Sequence, residues 1–399
     1  MAKALFLSLP LHGHTNPSLP VVRALVERGD EVAYYSAAAF ATRVEQTGAS
    51  YRPYRNAFLA DITKLPERME ELSWLLTRTT AELLTEQLDA FRAERPDYII
   101  TDSIAPWGQW LGELLRVPVV TSVSTFAINR HVLKYAVTHG ARPKSARLVW
   151  SKLKHIGKAI ALARRLRRRH GVKGPGITGL VFGRSDLNVV YTSREFQPCA
   201  ETFDEHFQFV GPSLPASAGE PSLTATGDPN VPLVYVSLGT LFNAEPEFYQ
   251  ACFAAFRDMP VRVIMSIGTN VSEAALGEPP PNVVVKPHVP QLEVLERASV
   301  FVTHGGMNSV SESLYHGVPV VVVPQMSEQA MVGQRAEELG AGMCLGKDQT
   351  TPEHLRASVN RLLSDGRFRR QAAVLGQSLR TAGGAARAAD VIQGFAKER

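Results

Sequence analysis

At 399 residues the chain exceeds the length at which one hydrophobic core usually stops growing, so two domains are expected. Hydrophobic residues at 45% and charged residues at 20% exclude a disordered chain, and 43 basic against 38 acidic residues leave +5, too thin an excess to imply nucleic acid. The 3 cysteines are widely spaced without a CxxC pair, which excludes a cysteine metal cluster and fits a reducing cytoplasm. The apolar start MAKALFLSLPL is too short for a bilayer and runs into HGH without a cleavage site, so neither a membrane span nor a signal peptide is expected.

In chain order, residues 4–9 read as a buried strand, followed by PLHGHTNP and a helix over 17–28, with Asn16 as its cap, Pro17 in first position and Gly29 closing it. A strand over 31–35 completes a βαβ unit and starts a parallel sheet. Near-helical spacing of Met69, Leu72, Leu76, Leu83, Leu88 and Phe91 predicts one long helix over 66–95, weakened in the middle by Thr79 and Thr80. Further strands fall at 98–102, 118–123, 187–193 and 207–210. Between Lys152 and Lys173, KLKHIGKAIALARRLRRRHGVK sets apolar residues against many positive charges. It reads as a solvated basic face on a helix with a buried back, and contact with an anionic membrane surface is the alternative. Residues 212–232, rich in Pro, Ser, Gly and Thr and without period, read as a linker. Beyond it LVYVSL, VRVIMSIG, VVVK, VFVTH and VPVVVVP alternate with helical segments, a second doubly wound α/β sheet, and AARAADVIQGFAKER supplies a last helix.

In open α/β sheets, ligands collect beyond the carboxyl ends of the strands. Those ends can be read as one surface, with His14 and Asp102 from the first half and Gly239, Thr240, Gly268, His304 and Gln325 from the second, all collected by one cleft if the two sheets face each other. A carboxylate that accepts one imidazole N–H fixes the tautomer of a histidine base. With no GxSxG serine and no cysteine beside activating groups, His14 is placed to deprotonate a bound hydroxyl; the plainer alternative is that His14 packs the turn and Asp102 caps a helix near Ala105 and Pro106. Residues 300–329 read as strand, Gly305-Gly306 turn, helix and strand. Gly305 and Gly306 allow close backbone approach, Asn308 and Ser309 stand where unpaired N–H groups at a helix start bind phosphate, Glu312 follows on the helix, and Glu328 and Gln329 in the next loop suit hydroxyls. Phosphate at one end and hydroxyls at the other indicate a nucleotide sugar; the alternative is a core histidine at 304 and glycines that only turn the chain. Phe58, Trp107 and Phe126 are candidates for an acceptor wall, although aromatic clusters of this kind are more often core.

HGHTNP, SLGT at 237–240, HVPQLEVL, FVTHGGMNS and PQMSEQ occur in that order over nearly the whole chain. Together they resemble the motifs of the family 1 UDP-dependent glycosyltransferases, most closely the bacterial macrolide glycosyltransferase type. The resemblance implies the α/β GT-B fold, two Rossmann-like domains of doubly wound parallel sheet facing across a cleft. Residues 1–211 would hold the acceptor, 212–232 link the domains, 233–382 hold the donor, and 383–399 cross back onto the first domain. It further implies His14 as general base with Asp102 as its partner, and His304 and Ser309, with Thr240 behind them, as diphosphate contacts, with Gly306 and Asn308 among the donor-binding residues. Gln291 falls on the nucleotide side, Glu312 on the ribose, and Glu328 and Gln329 on the sugar, while Gly268, His288 and Val289 complete the donor-binding residues. Two residues depart from the pattern: His288 stands where many members carry a tryptophan that stacks on uracil, and Glu328 where plant members carry aspartate. The implied reaction is inverting and needs no metal or other cofactor, in keeping with the lack of a DxD triplet. It moves a sugar, first of all glucose from UDP-glucose, to a flavonoid, another phenol or a macrolide. A noncatalytic GT-B auxiliary protein is the alternative, against which the intact His14, Asp102, His304 and Glu312 stand; GHTNP stands against a nucleotide-sugar epimerase.

Overall fold

The computed structural model describes residues 2–60, 62, 69–139, 147–174, 185–215, 228, 230–240 and 243–398. Most of the expected linker and the first residues of the helix expected over 66–95 lie outside the described residues. The first half forms β1 (Lys3–Leu7), β2 (Glu31–Ser36), β3 (Ser50–Pro53), β4 (Tyr98–Asp102), β5 (Val119–Val123), β6 (Leu187–Val190) and β7 (Phe207–Phe209). They make one parallel sheet in the order β3-β2-β1-β4-β5-β6-β7. The second half forms β8 (Leu233–Ser237), β9 (Arg262–Ser266), β10 (Val283–Lys286), β11 (Val300–Thr303), β12 (Val320–Val322) and β13 (Gly342–Cys344), parallel in the order β10-β9-β8-β11-β12-β13.

Helices cover both faces of each sheet, which is why β4, β5, β8 and β11 are buried at every position and read as unbroken apolar runs. The strands SYRP (β3) and GMC (β13), which patterning does not predict, are sheet edges, where a strand has a neighbour on one side only and needs no β-branched run. In both sheets the order reverses between the first strand and the fourth, β1 beside β4 and β8 beside β11. Helices leave in opposite directions there, opening a crevice at the carboxyl ends.

The helix after β1 runs His12–Glu27 rather than 17–28, with extended Leu11 at its start and Pro17 and Pro20 inside it. Asn16 is therefore not its cap. An internal proline removes one bond to the carbonyl four residues back. For Pro17 that carbonyl belongs to Gly13, and it accepts instead from Asn308 Nδ2 at 2.8 Å. His14 thus sits in the first helical turn. The helix expected over 66–95 divides into Met69–Glu86 and Leu88–Ala93, broken at Gln87.

The basic stretch lies on the helix Arg147–His170, where Ala163 and Leu166 share a core with Leu76, Leu83 and Leu84 while Arg164, Arg165, Arg168 and Arg169 are exposed. Where it is described, its apolar side is thus taken up by the protein itself, as the solvated-face reading expects. No helix among the described residues is long and apolar enough to cross a membrane. The two halves share one apolar cluster, in which Val123, Phe126 and Phe196 meet Val310, Leu314 and Val332. The last helix, Gly384–Lys397, buries Ala388, Ala389 and Ile392 with Leu19, Val22 and Leu25 of the first half, and Arg28 pairs with Asp390 at 2.6 Å.

Candidate active site

In the first half, the switch point brings together the turn after β1 and the ends of β4 and β5. Nδ1 of His14 lies 2.8 Å from Asp102 Oδ2 and 2.9 Å from the Ser124 hydroxyl, and Asp102 Oδ1 accepts from the Ile104 N–H at 2.9 Å. The histidine side chain is 12% exposed and the aspartate 3%. With its proton held on Nδ1 by the carboxylate, the imidazole has Nε2 left as acceptor. Burial disfavours the charged ring, but the Asp102 charge and hydrogen bond, with help from Glu328, outweigh it and raise the His14 pKa above its ordinary value. Ser124 is absent from the sequence reading, although it is the residue directly after β5 and the strand-end rule points to it.

In the second half, the His304 ring lies between two glycines: a Cβ at Gly239 would stand 2.6 Å from its Cε1, and one at Gly306 2.5 Å from its Nε2. Burial, partly offset by a hydrogen bond to the Ser237 backbone, lowers its pKa to about 4. The single N–H of the neutral ring is thus spent on the Ser237 carbonyl, and a second N–H toward an anion requires the protonated ring, which a bound anion favours. Next to it, the helix Met307–Tyr315 starts from extended Gly306 with no side-chain cap, leaving first-turn N–H groups, Ser309 among them, for an anion. Asn308, placed on the phosphate side from sequence, instead directs its amide across the cleft to the Gly13 carbonyl.

Further along this helix, Glu312 Oε2 accepts from Gln291 Nε2 at 2.6 Å, and Gln291 Oε1 accepts from the Tyr235 hydroxyl at 3.2 Å. Burial pushes the Glu312 carboxyl up to about 7 against the opposing Gln291 bond. Gln329 is nearly buried, its Oε1 accepting from the N–H groups of Gln325 and Met326 at 2.8 and 3.1 Å, so Nε2 is its outward-facing chemistry. Glu328 beside it is open to the cleft yet surrounded by protein, which raises its pKa, with His14 opposing. The charges of Glu328 and His14 thus act on each other across the cleft. Thr240 and His288 are exposed on the same side. Gly268 packs on Asn243, whose amide donates to the Gly239 carbonyl at 2.8 Å and fastens the two loops together. The Val289 side chain is buried in the shared core, leaving only its backbone for a ligand.

Two of the aromatic candidates are corrected. Trp107 is 0% exposed and donates to the Tyr54 hydroxyl at 3.2 Å, and Phe126 is 1% exposed and packs on Phe196. Both are core because they follow buried strands and face inward, so neither forms a wall. Phe58 is half-buried against the same core as Trp107. The cavity beside Asp102 is instead lined by Ser73 and Leu76 on one side and Ile104, Pro106 and Gln109 on the other. None of these carries a chemical signature in sequence. Among the described residues no group of 3 or more His, Cys, Asp and Glu is arranged to hold a metal ion.

A carboxylate-backed histidine facing an uncapped helix start and a buried carboxylate across a cleft between two doubly wound sheets is the architecture of a GT-B glycosyltransferase. Comparison with known proteins agrees. Residues 251–385 match the family described as erythromycin biosynthesis protein CIII-like, C-terminal domain. The NDP-glycosyltransferase YjiC of Bacillus subtilis (strain 168) is 36% identical over 98% of this chain and 97% of its own. Demethyllactenocin mycarosyltransferase of Streptomyces fradiae is 34% identical over 99% and 87%. The crystal structure of the calicheamicin glycosyltransferase CalG4 superposes with a TM-score of 0.83 at 31% identity, covering 99% of this chain and 98% of that one. The chain belongs to the family 1 glycosyltransferases of the macrolide type, and is an enzyme that draws on a nucleotide sugar.

Proposed function

We propose that the first half binds a small hydroxylated acceptor and the second half a nucleotide sugar, and that the enzyme transfers the sugar with inversion and without a metal. Glucose from UDP-glucose is the donor proposed first, and a flavonoid, another phenol or a macrolide the acceptor, in the cytoplasm where such donors are made. The observation that carries the reading is His14, backed at Nδ1 by Asp102 and Ser124 with Nε2 as its acceptor nitrogen. Nε2 takes the acceptor's hydroxyl proton as that oxygen bonds to the anomeric carbon. The bond from that carbon to the diphosphate oxygen breaks on the opposite face, and its electron pair leaves with the nucleoside diphosphate.

The growing negative charge is met by the first-turn N–H groups of the Met307–Tyr315 helix, in place before the reaction starts, and by His304, which the bound diphosphate favours in its protonated form, with one N–H on Ser237 and the other toward the phosphate. Ionised Glu312 accepts from the ribose hydroxyls, and Glu328 and Gln329 bind those of the sugar. Relatives named for mycarosyl transfer to demethyllactenocin and for calicheamicin support a natural-product acceptor.

The test is to mix the protein with UDP-glucose or TDP-sugars and a panel of phenols and macrolides, with and without EDTA, and to read glycoside and nucleoside diphosphate by mass spectrometry. The expected result is product unaffected by EDTA and abolished by His14→Ala. Full turnover in that variant removes the base assignment, and loss with EDTA removes the metal-free mechanism.

A further inference from the structure

Pro17 has no N–H, so the Gly13 carbonyl lacks the donor that the next turn of its helix would ordinarily supply. The carbonyl accepts instead from Asn308 Nδ2, at 2.8 Å and across 295 residues of sequence. Gly13 directly precedes His14, and Asn308 lies in the first turn of the helix that offers its N–H groups to the diphosphate. Other bonds between the halves, Arg335 to the Phe196 carbonyl, Ser193 to Ser378 and Tyr135 to Glu338, end on residues outside the site. The His14 ring is anchored within its own half, on Asp102 and Ser124, whereas its backbone is anchored on the other.

We propose that Asn308 is a positioning residue: through the carbonyl that Pro17 leaves open, it ties the turn bearing His14 to the start of the diphosphate helix and so sets the distance from base to leaving group. This rests on the glycosyl transfer proposed above. Its physical logic is that transfer needs the acceptor oxygen, the anomeric carbon and the leaving oxygen in line, with two of the three held by opposite halves.

The test uses the full chain. In Asn308→Ala, kcat falls about five- to tenfold, the range expected for one intramolecular hydrogen bond, while the UDP Kd measured by calorimetry stays within about twofold. Pro17→Ala gives the Gly13 carbonyl a competing N–H within its own helix without touching the cleft. It lowers kcat about two- to threefold at unchanged UDP affinity, and adds nothing when combined with Asn308→Ala. A fluorophore pair on exposed positions 45 and 286, one on each half, reads a longer separation in Asn308→Ala than in the unmodified chain whether or not an acceptor is turned over. A tenfold or greater loss of UDP affinity in Asn308→Ala makes the side chain a phosphate ligand and overturns the proposal. Unchanged kcat, additive losses in the double variant or an unchanged separation overturn it equally. Wild-type protein that turns over no donor and acceptor refutes the transfer reading instead, and the separation measurement then decides the tie alone.

Discussion

Glu312→Gln separates what the site needs from what the fold prefers. The Glu312 carboxyl titrates at about 7 in the folded protein because burial outweighs its bond from Gln291, against 4.5 for the ordinary side chain. Between those values the fold holds a proton that the unfolded chain has released, so stability falls as pH rises through the window. The full difference corresponds to about 3 kcal/mol, which water reaching the cleft reduces to about 2 kcal/mol. Glutamine resembles the protonated carboxyl and does not titrate. The variant is therefore as stable as the unmodified enzyme near pH 4.5 and more stable by about 2 kcal/mol at pH 8, provided no nucleotide is present. UDP binding moves the other way: with no carboxylate for the ribose hydroxyls, affinity at pH 8 falls about ten- to hundredfold, the value of a charged hydrogen bond. Urea unfolding at both pH values and calorimetry with UDP measure the two effects. An offset in stability that is the same at both pH values refutes the burial argument, and unchanged UDP affinity removes Glu312 from the nucleotide.

Asp102→Asn takes away the charge that does most to raise the His14 pKa, leaving burial opposed only by Glu328; the acid limb of kcat/KM moves to lower pH while kcat drops about a hundredfold or more, as pH–rate profiles will show. Ser124→Ala removes one of the two partners of His14 Nδ1 and lowers kcat about fivefold with donor KM unchanged, measured in steady state. Gly306→Ala has no backbone strain to contend with at φ −60°, but its Cβ stands 2.5 Å from the His304 ring; donor KM rises about tenfold with the thermal midpoint almost unmoved.

The alternation of apolar β-branched runs with helical periods was enough to place most strands, since central strands covered on both faces admit little else. It failed at SYRP and GMC because edge strands are not under that constraint. It misplaced the start of the first helix for a different reason: Pro17 is a good first residue of a helix on local grounds, and further in it leaves the Gly13 carbonyl to a donor, Asn308, that lies far away in sequence. Trp107 and Phe126 show the same limit from the other side, since an aromatic side chain looks alike in a wall and in a core until its neighbours are known.

His14, Asp102, His304 and Glu312 were legible because chemistry at strand ends restricts residue type, and the motifs around them are specific. The chain's local preferences, in short, determined two doubly wound sheets and the side chains that lie at their carboxyl ends. Which nitrogen of His14 is held, that Ser124 joins the pair and that His304 is wedged between two glycines were decided only when each half folded, and that Asn308 spans the cleft only when the halves packed together. Hydrogen-bond partners and burial are properties of neighbours far apart in sequence, and no local pattern records them.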